Sequence, residues 1–185
     1  MRIKSLLTAL ISGIFMAHAA AAADIDPENT LYLDLKDGRV VIALHPDKAP
    51  ATVKRIKELV RKKFYDGIVF HRVIDGFMAQ TGDPTGTGSG GSGQKLKAEF
   101  NDIPHVRGAV SMARANDPNS ADSQFFIVLK DSNFLDHQYT AFGDVVSGME
   151  FVDNIKKGDQ RNNGSVSGPD KIVTLRVAAD VKDAK

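Results

Sequence analysis

The 185-residue chain contains no cysteine. That absence excludes a disulfide scaffold, thiol catalysis, iron–sulfur clusters and cysteine-ligated zinc, so the fold rests on packing alone. A surplus of charge of one sign is missing as well: 24 Lys and Arg face 23 Asp and Glu, a formal net charge of +1. Without a broad single-sign field, nucleic acid and membrane surfaces are poor partners. Hydrophobic residues make up 42% of the chain and charged residues 25%, which is too apolar for a disordered polymer and ordinary for one globular domain.

Local signatures of several chemistries are also absent. His45, His71, His105 and His137 lie far apart, with no His-x-x-x-His pair or carboxylate cluster at ligand spacing, so no metal is expected. No Gly-x-Ser-x-Gly elbow presents a serine nucleophile, although a triad assembled from distant residues would leave no local trace. Gly86-x-Gly88-x-x-Gly91 and Gly88-x-Gly90-x-x-Gly93 both match the dinucleotide fingerprint. Neither has a strand before it and a helix after it, so the stretch reads as a glycine-rich surface loop and no nucleotide is expected.

What is present begins with an export signal. Arg2 and Lys4 precede an apolar stretch from Leu6 to Ala17, and Ala19 to Ala23 follow. This order of basic start, short apolar centre and small-residue exit is that of a secretory signal peptide over residues 1–23. A retained anchor is the competing reading, but the alanine-rich last third is weakly driven into lipid. Cleavage before Asp24 leaves 22 basic and 23 acidic residues, net −1. The expected product is one exported domain over residues 24–185, with a short frayed end at Val181 to Lys185.

Thr30 to Leu35 and Arg39 to Leu44 alternate apolar and polar residues around Lys36-Asp37-Gly38, a hairpin pattern. Between Asp47 and Lys62 the period changes: Val53, Ile56, Leu59 and Val60 share one helical face, behind Pro50 and ahead of a basic end. Further strands are expected over Ile68 to Ile74, Phe77 to Thr81, Val110 to Ala113, Phe125 to Leu129, Ala141 to Val146 and Ile172 to Ala179. A second helix is expected over Met149 to Ile155. Gly82 to Gly93 holds six of the sixteen glycines and is expected as a loop. Many short strands with two helices point to a β-rich barrel or sandwich, and periodicity does not separate the two.

Alternation also places Arg72 and Ile74 on one strand face, and Met78 and Gln80 on the facing one. An antiparallel pair would then put Arg72, Met78 and Gln80 on one surface, mixing fixed donors with an apolar floor. The bland alternative is that Phe70, Phe77 and Met78 are core and Arg72 is solvated. Gln124 and Phe126 share a face of the Phe125 strand, and Phe134-Leu135-Asp136 puts apolar bulk in a loop, where binding is often built.

The run Phe70-His71-Arg72-x-Ile74-x-Gly76-Phe77-Met78-x-Gln80-x-Gly82-Asp83 resembles the cyclophilin signature. Later blocks agree in order: Gly108-x-Val110-Ser111-Met112-Ala113, Ser123-Gln124-Phe125-Phe126-Ile127, Phe134-Leu135-Asp136, Phe142-Gly143-x-Val145 and Gly148-Met149. The resemblance spans about Asn29 to Val177, and Ala113-Arg114 with Phe134 is similar to the bacterial branch, consistent with a periplasmic location. It implies a closed eight-stranded antiparallel β-barrel capped by two α-helices, and peptidyl-prolyl cis–trans isomerase activity without cofactor or metal.

By matching positions, it implies Arg72 as the catalytic residue with Gln80 bonded to it, and Phe77, Met78, Phe126 and Leu135 as the proline pocket. Ala113, Arg114 and Gln124 would line the peptide path, Phe134 and Tyr139 would border it, and His71 would support the site from beside the groove. Phe134 stands where the family often has tryptophan, Tyr139 where it often has histidine, and Arg114 in place of the usual asparagine. Without an indole N–H, Phe134 should bind cyclosporin weakly. The partners implied are proline-containing segments of unfolded or partly folded proteins, met by a monomer during folding of exported proteins. A holding chaperone using the same groove is the alternative, which would need the apolar pocket but not Arg72 and Gln80.

Overall fold

The computed structural model describes residues 26–181. The expected signal peptide and the last four residues of the expected frayed end lie outside the described residues. Thr30–Leu35 (β1) and Gly38–Leu44 (β2) form the expected hairpin, with Leu35 opposite Gly38. After it come Pro50–Arg61 (α1), Arg72–Ile74 (β3), Met78–Thr81 (β4), Ala109–Met112 (β5), Phe125–Val128 (β6) and Ala141–Ser147 (β7). Met149–Asp153 (α2) and Thr174–Val177 (β8) complete the chain. All eight strands pair antiparallel in one sheet of order β3-β4-β6-β5-β7-β2-β1-β8.

The expected closed barrel is corrected to an open half-barrel, because β3 and β8 stand at opposite ends of this order and share no ladder. The cause lies in two strands shorter than their apolar runs. The strand expected over Ile68 to Ile74 starts only at Arg72, since the residues before it direct their backbone bonds to the segment ahead of β8. Gly67 N–H donates to the Ile172 carbonyl, Ile172 N–H to that of Ile68 and Phe70 N–H to that of Asp170, each at 2.9 Å. The strand expected over Ile172 to Ala179 is likewise confined to Thr174–Val177, and Ala178–Asp180 turns away as one 3₁₀ turn. Irregular backbone thus spans the gap that a ladder was expected to close.

The outer edge of β3 is not bare either. Val73 N–H donates to the Gly164 carbonyl and Gly158 N–H to that of Val73, both at 2.8 Å, while Val166 N–H reaches the His71 carbonyl at 3.1 Å. A loop from Gly158 to Gly168 therefore covers an edge that would otherwise invite pairing with another chain.

The helix α1 buries Val53, Ile56, Leu59 and Val60 against the core, as their spacing predicts. Pro50 occupies its first position, where no N–H is needed. No side chain at Ala49 caps it. Instead the Glu99 carboxylate accepts from the N–H groups of Ala51 and Thr52, at 2.9 and 2.8 Å. Helix α1 packs on β8 and α2 on β2.

Two apolar clusters result, one on each face of the β4–β6–β5 wall. The larger fills the concave interior and contains Val73, Ala79, Val110 and Ile127. The smaller, of Met78, Ala109, Phe126, Val128 and Leu135, lies on the other face, with Phe77, Ala113 and Tyr139 packed against it. No helix among the described residues is long and apolar enough to cross a membrane.

Candidate functional site

Strand pairing sets the site out in rows. Arg72 stands opposite Gln80, Gln80 opposite Phe126, and Phe126 opposite Ser111. One row along, Ile74 faces Met78 and Met78 faces Val128. Since alternate residues take opposite faces, the residues between these rows, Val73, Ala79 and Ile127, go to the core. Arg72, Met78 and Gln80 therefore do share a surface. Of the bland alternative, Phe70 is core and Met78 is buried in the smaller cluster with Phe77 packed against it, but half-buried Arg72 is held at several points.

Arg72 is held on three sides. Its Nε donates to the Asn163 carbonyl at 3.0 Å, Nη2 donates to Oδ1 of Asn163 at 3.0 Å, and Nη1 donates to Oε1 of Gln80 at 3.1 Å. Nη1 also lies 4.0 Å from the Met78 sulfur. All these acceptors are neutral, and no carboxylate among the described residues lies within ion-pairing distance of the guanidinium. Burial holds its pKa below the ordinary arginine value, opposed by nearby Tyr139, yet an arginine stays cationic in proteins. The site thus keeps an uncompensated positive charge.

Because arginine only donates, the Gln80 oxygen must face it, and the rest of the relay follows. Gln80 Nε2 donates to Oε1 of Gln124 at 2.9 Å, and Gln124 Nε2 donates to the carbonyls of Gly90 and Gly88 at 2.8 and 3.0 Å. The glycine loop is therefore an anchor for the arginine. Its own fold is set by Asp83, only 1% exposed, which accepts from the N–H groups of Thr85 at 2.7 Å, Gly88 at 2.6 Å and Gly90 at 3.1 Å, and from the Thr85 hydroxyl at 2.7 Å. Burial alone would raise the Asp83 pKa. These bonds outweigh it and hold it at about 2. The loop has no regular structure, as its glycines predict, but it is tied at fixed points.

Beside Arg72 and Gln80 a cavity of about 90 Å³ opens, lined by Phe77, Met78, Phe126 and Leu135, with Ala113, Arg114 and Tyr139 around it. Met78, Phe126 and Leu135 are buried and form an apolar floor. A wider depression of about 390 Å³ adjoins it, sharing Gln80, Ala113 and Arg114 and running on past Gln124 to Lys95 and Asp122. The Arg114 guanidinium lies 4.6 Å above the Tyr139 ring and donates to the Gln138 carbonyl from Nε and Nη2, at 3.1 and 3.0 Å.

Phe134 does not line the smaller cavity. The residue is 67% exposed, with its ring 5.6 Å from that of Phe77. His71 is buried on the other side of Arg72, where it borders a polar depression with Asn163 and Ser165. Burial pushes its imidazole pKa down, with the Asp83 carboxylate opposing.

Two supports have no signature in the sequence. Asn163 grips Arg72 from a loop 91 residues away, and its Asn-Asn-Gly surroundings look like any polar turn. His105, fully buried, stacks 6.2 Å beneath Phe126. Its Nδ1 bonds the Asp136 carboxylate at 2.9 Å and its Nε2 bonds the Ser111 hydroxyl at 3.0 Å. The floor of the cavity therefore rests on a polar network with both imidazole nitrogens occupied.

Comparison with known proteins gives one answer. The family described as "Cyclophilin type peptidyl-prolyl cis-trans isomerase/CLD" matches residues 30–177. A "Probable peptidyl-prolyl cis-trans isomerase" of Brucella suis biovar 1 is 49% identical over 191 residues, 97% of each chain. "Peptidyl-prolyl cis-trans isomerase B" of Bacillus subtilis is 44% identical over 142 residues, 75% of this chain and 99% of the relative. Among solved structures, a cyclophilin from Hirschia baltica superposes with a TM-score of 0.76 at 28% identity, covering 86% of this chain and 77% of its own. A cyclophilin-type isomerase of Cryptosporidium parvum, solved in the presence of the dipeptide Ala-Pro, gives 0.73 at 29% identity, covering 80% and 98%.

Proposed function

The chain belongs to the cyclophilin-type peptidyl-prolyl cis–trans isomerases, and we propose that it turns X-Pro bonds by presenting Arg72 to the imide nitrogen while the proline ring occupies the cavity over Met78, Phe126 and Leu135. The observation that carries this reading is the guanidinium held by neutral amide acceptors at the edge of an apolar cavity.

Amide resonance sets a barrier of about 18–20 kcal/mol to rotation of a peptide bond, and no covalent step is needed to cross it. In the twisted transition state the nitrogen lone pair leaves the carbonyl and becomes a better hydrogen-bond acceptor. A donor fixed beside it stabilises that state over the planar one. Arg72 suits the role because one Nη2 N–H has no partner among the described residues, and one Nη1 N–H meets nothing stronger than the Met78 sulfur. The apolar floor grips the ring and excludes water that would compete for the donor.

Proline-containing segments of unfolded or partly folded proteins are the proposed substrates, laid along the depression past Ala113, Arg114 and Gln124. The Ala-Pro dipeptide present with the Cryptosporidium protein supports this class. The basic, apolar and alanine-rich order of residues 1–23 supports export to the periplasm and a role there in folding exported proteins. The proposed state is a monomer, since the contacts of Arg72 and the cavity lining are complete within a single copy of the chain.

Cis/trans exchange of an Ala-Pro peptide, followed by NMR, tests the catalyst. Arg72→Ala should lose most of the acceleration while still binding the peptide; equal catalysis by both proteins would remove Arg72 from its role. The exposed Phe134 ring beside Phe77 favours a second reading, a holding function for apolar segments. Undiminished suppression of aggregation by the Arg72→Ala protein would separate holding from catalysis.

A further inference from the structure

We infer that Asn163 is a positioning residue for the reaction, clamping the Arg72 guanidinium in place through its backbone carbonyl and its side-chain oxygen together. The inference rests on the reading of Arg72 as the catalytic donor and adds how that donor is oriented.

Gln80 alone leaves the guanidinium free to swing about a single contact at Nη1. Asn163 contributes the other two bonds, from Nε to its carbonyl and from Nη2 to Oδ1, both 3.0 Å. Three contacts on three different nitrogens define a plane, which two contacts on neighbouring atoms would not.

The local backbone is built for this. Asn163 has φ 50° and ψ 32°, in the left-handed region that asparagine tolerates better than most residues. Gly164 follows at φ 76°, and a Cβ there would lie 2.4 Å from Cγ1 of Ile74. Only glycine lets the loop approach β3 so closely. Its carbonyl then accepts from Val73 N–H at 2.8 Å, and this bond registers Asn163 against the neighbouring Arg72.

The clamp is also neutral. A carboxylate at this place would offset the charge of Arg72 and compete with the imide nitrogen for its N–H groups. An amide oxygen fixes the same plane and leaves the cation uncompensated. The expected benefit lies in the twisted state, where the donor acts, and not in binding of the planar peptide.

The test compares wild type, Asn163→Gly, Arg72→Ala and the double variant by NMR exchange on an Ala-Pro peptide. Asn163→Gly keeps the positive φ and the carbonyl while removing Oδ1, so the fold is retained. The expected result is about a tenfold drop in kcat with KM nearly unchanged, the size of one lost contact of about 1.4 kcal/mol. In the Arg72→Ala background the same substitution should change residual catalysis by nothing further, because its effect passes through Arg72.

A spectroscopic readout accompanies this: rotation about the Arg72 Nε–Cζ bond should be faster in Asn163→Gly and slow again in Asn163→Asp, which restores the acceptor. Wild-type kcat in Asn163→Gly, unaltered guanidinium rotation, or a loss that persists without Arg72 would each overturn the clamp. Full activity of Arg72→Ala would instead overturn the underlying assignment of the catalyst, and the clamp with it.

Discussion

Nη1 of Arg72 donates to Oε1 of Gln80 at 3.1 Å, and the two residues stand directly opposite each other in the β3–β4 ladder. The backbone register therefore orients the Arg72 guanidinium as much as the side chains do. Gln80 reaches onward to Gln124, so it cannot be replaced without loosening both neighbours. Gln80→Ala should lower kcat/KM by about one to two orders of magnitude, the value of a hydrogen bond to a charged group. NMR exchange beside wild type checks this, and an unchanged rate would show that Arg72 needs no help from β4.

Phe126 belongs to the cavity floor and to the smaller apolar cluster at once. Phe126→Ala should cost about 3 kcal/mol of stability, at the lower end for a buried aromatic because the site already opens beside it. Affinity for the Ala-Pro peptide should fall in the same variant. Urea unfolding and an NMR titration measure the two effects, and a loss of affinity without loss of stability would mean that the ring is not part of the packing.

Asp83 predicts a pH dependence of stability. Its folded pKa of about 2 lies below the unfolded value of about 3.9. A depressed carboxyl pKa stabilises the fold above the unfolded pKa, and that stability drains away as pH falls from about 5 through about 2. The amount is about 2.5 kcal/mol. Asp83→Asn should therefore be less stable at pH 7 and show a shallower decline into acid, by urea unfolding at pH 7 and pH 2.5. Parallel declines would assign the acid sensitivity to other groups.

Phe134 sits at the rim with its ring largely in solvent. Phe134→Trp should leave isomerase activity within about twofold, since the residue stays outside the small cavity, while the added indole N–H should tighten cyclosporin binding by about tenfold. Isothermal titration against both proteins decides it; equal affinities would mean that the donor cannot reach the ligand from this loop.

Features carried by short-range patterns were legible in advance. The β1–β2 hairpin followed from Asp37-Gly38 between alternating runs, the buried face of α1 from the spacing of Val53, Ile56, Leu59 and Val60, and the common surface of Arg72, Met78 and Gln80 from the two-residue period. The resemblance added the order of the blocks and the reaction. Neither revealed that the ladder stops short between β3 and β8, because an apolar run such as Ile68 to Ile74 reads as strand whether its bonds go to a neighbouring strand or to a loop. Asn163, His105 and Glu99 were illegible for a related reason. Each acts through contacts with residues distant in the chain, Asn163 with Arg72, His105 with Phe126 and Asp136, and Glu99 with Ala51 and Thr52, and no local pattern encodes such a meeting.

The β4–β6–β5 wall is one residue thick, with the core on its inner side and the small apolar cavity on its outer side. Such a partition has no spare surface on which sequence drift is free. A mutation on the inner face tilts the tools mounted outside, and a larger outer pocket is bounded by what the interior will tolerate. Reshaping the enzyme for bulkier ligands should therefore proceed from the rim loops inward, leaving the partition itself as the fixed bench.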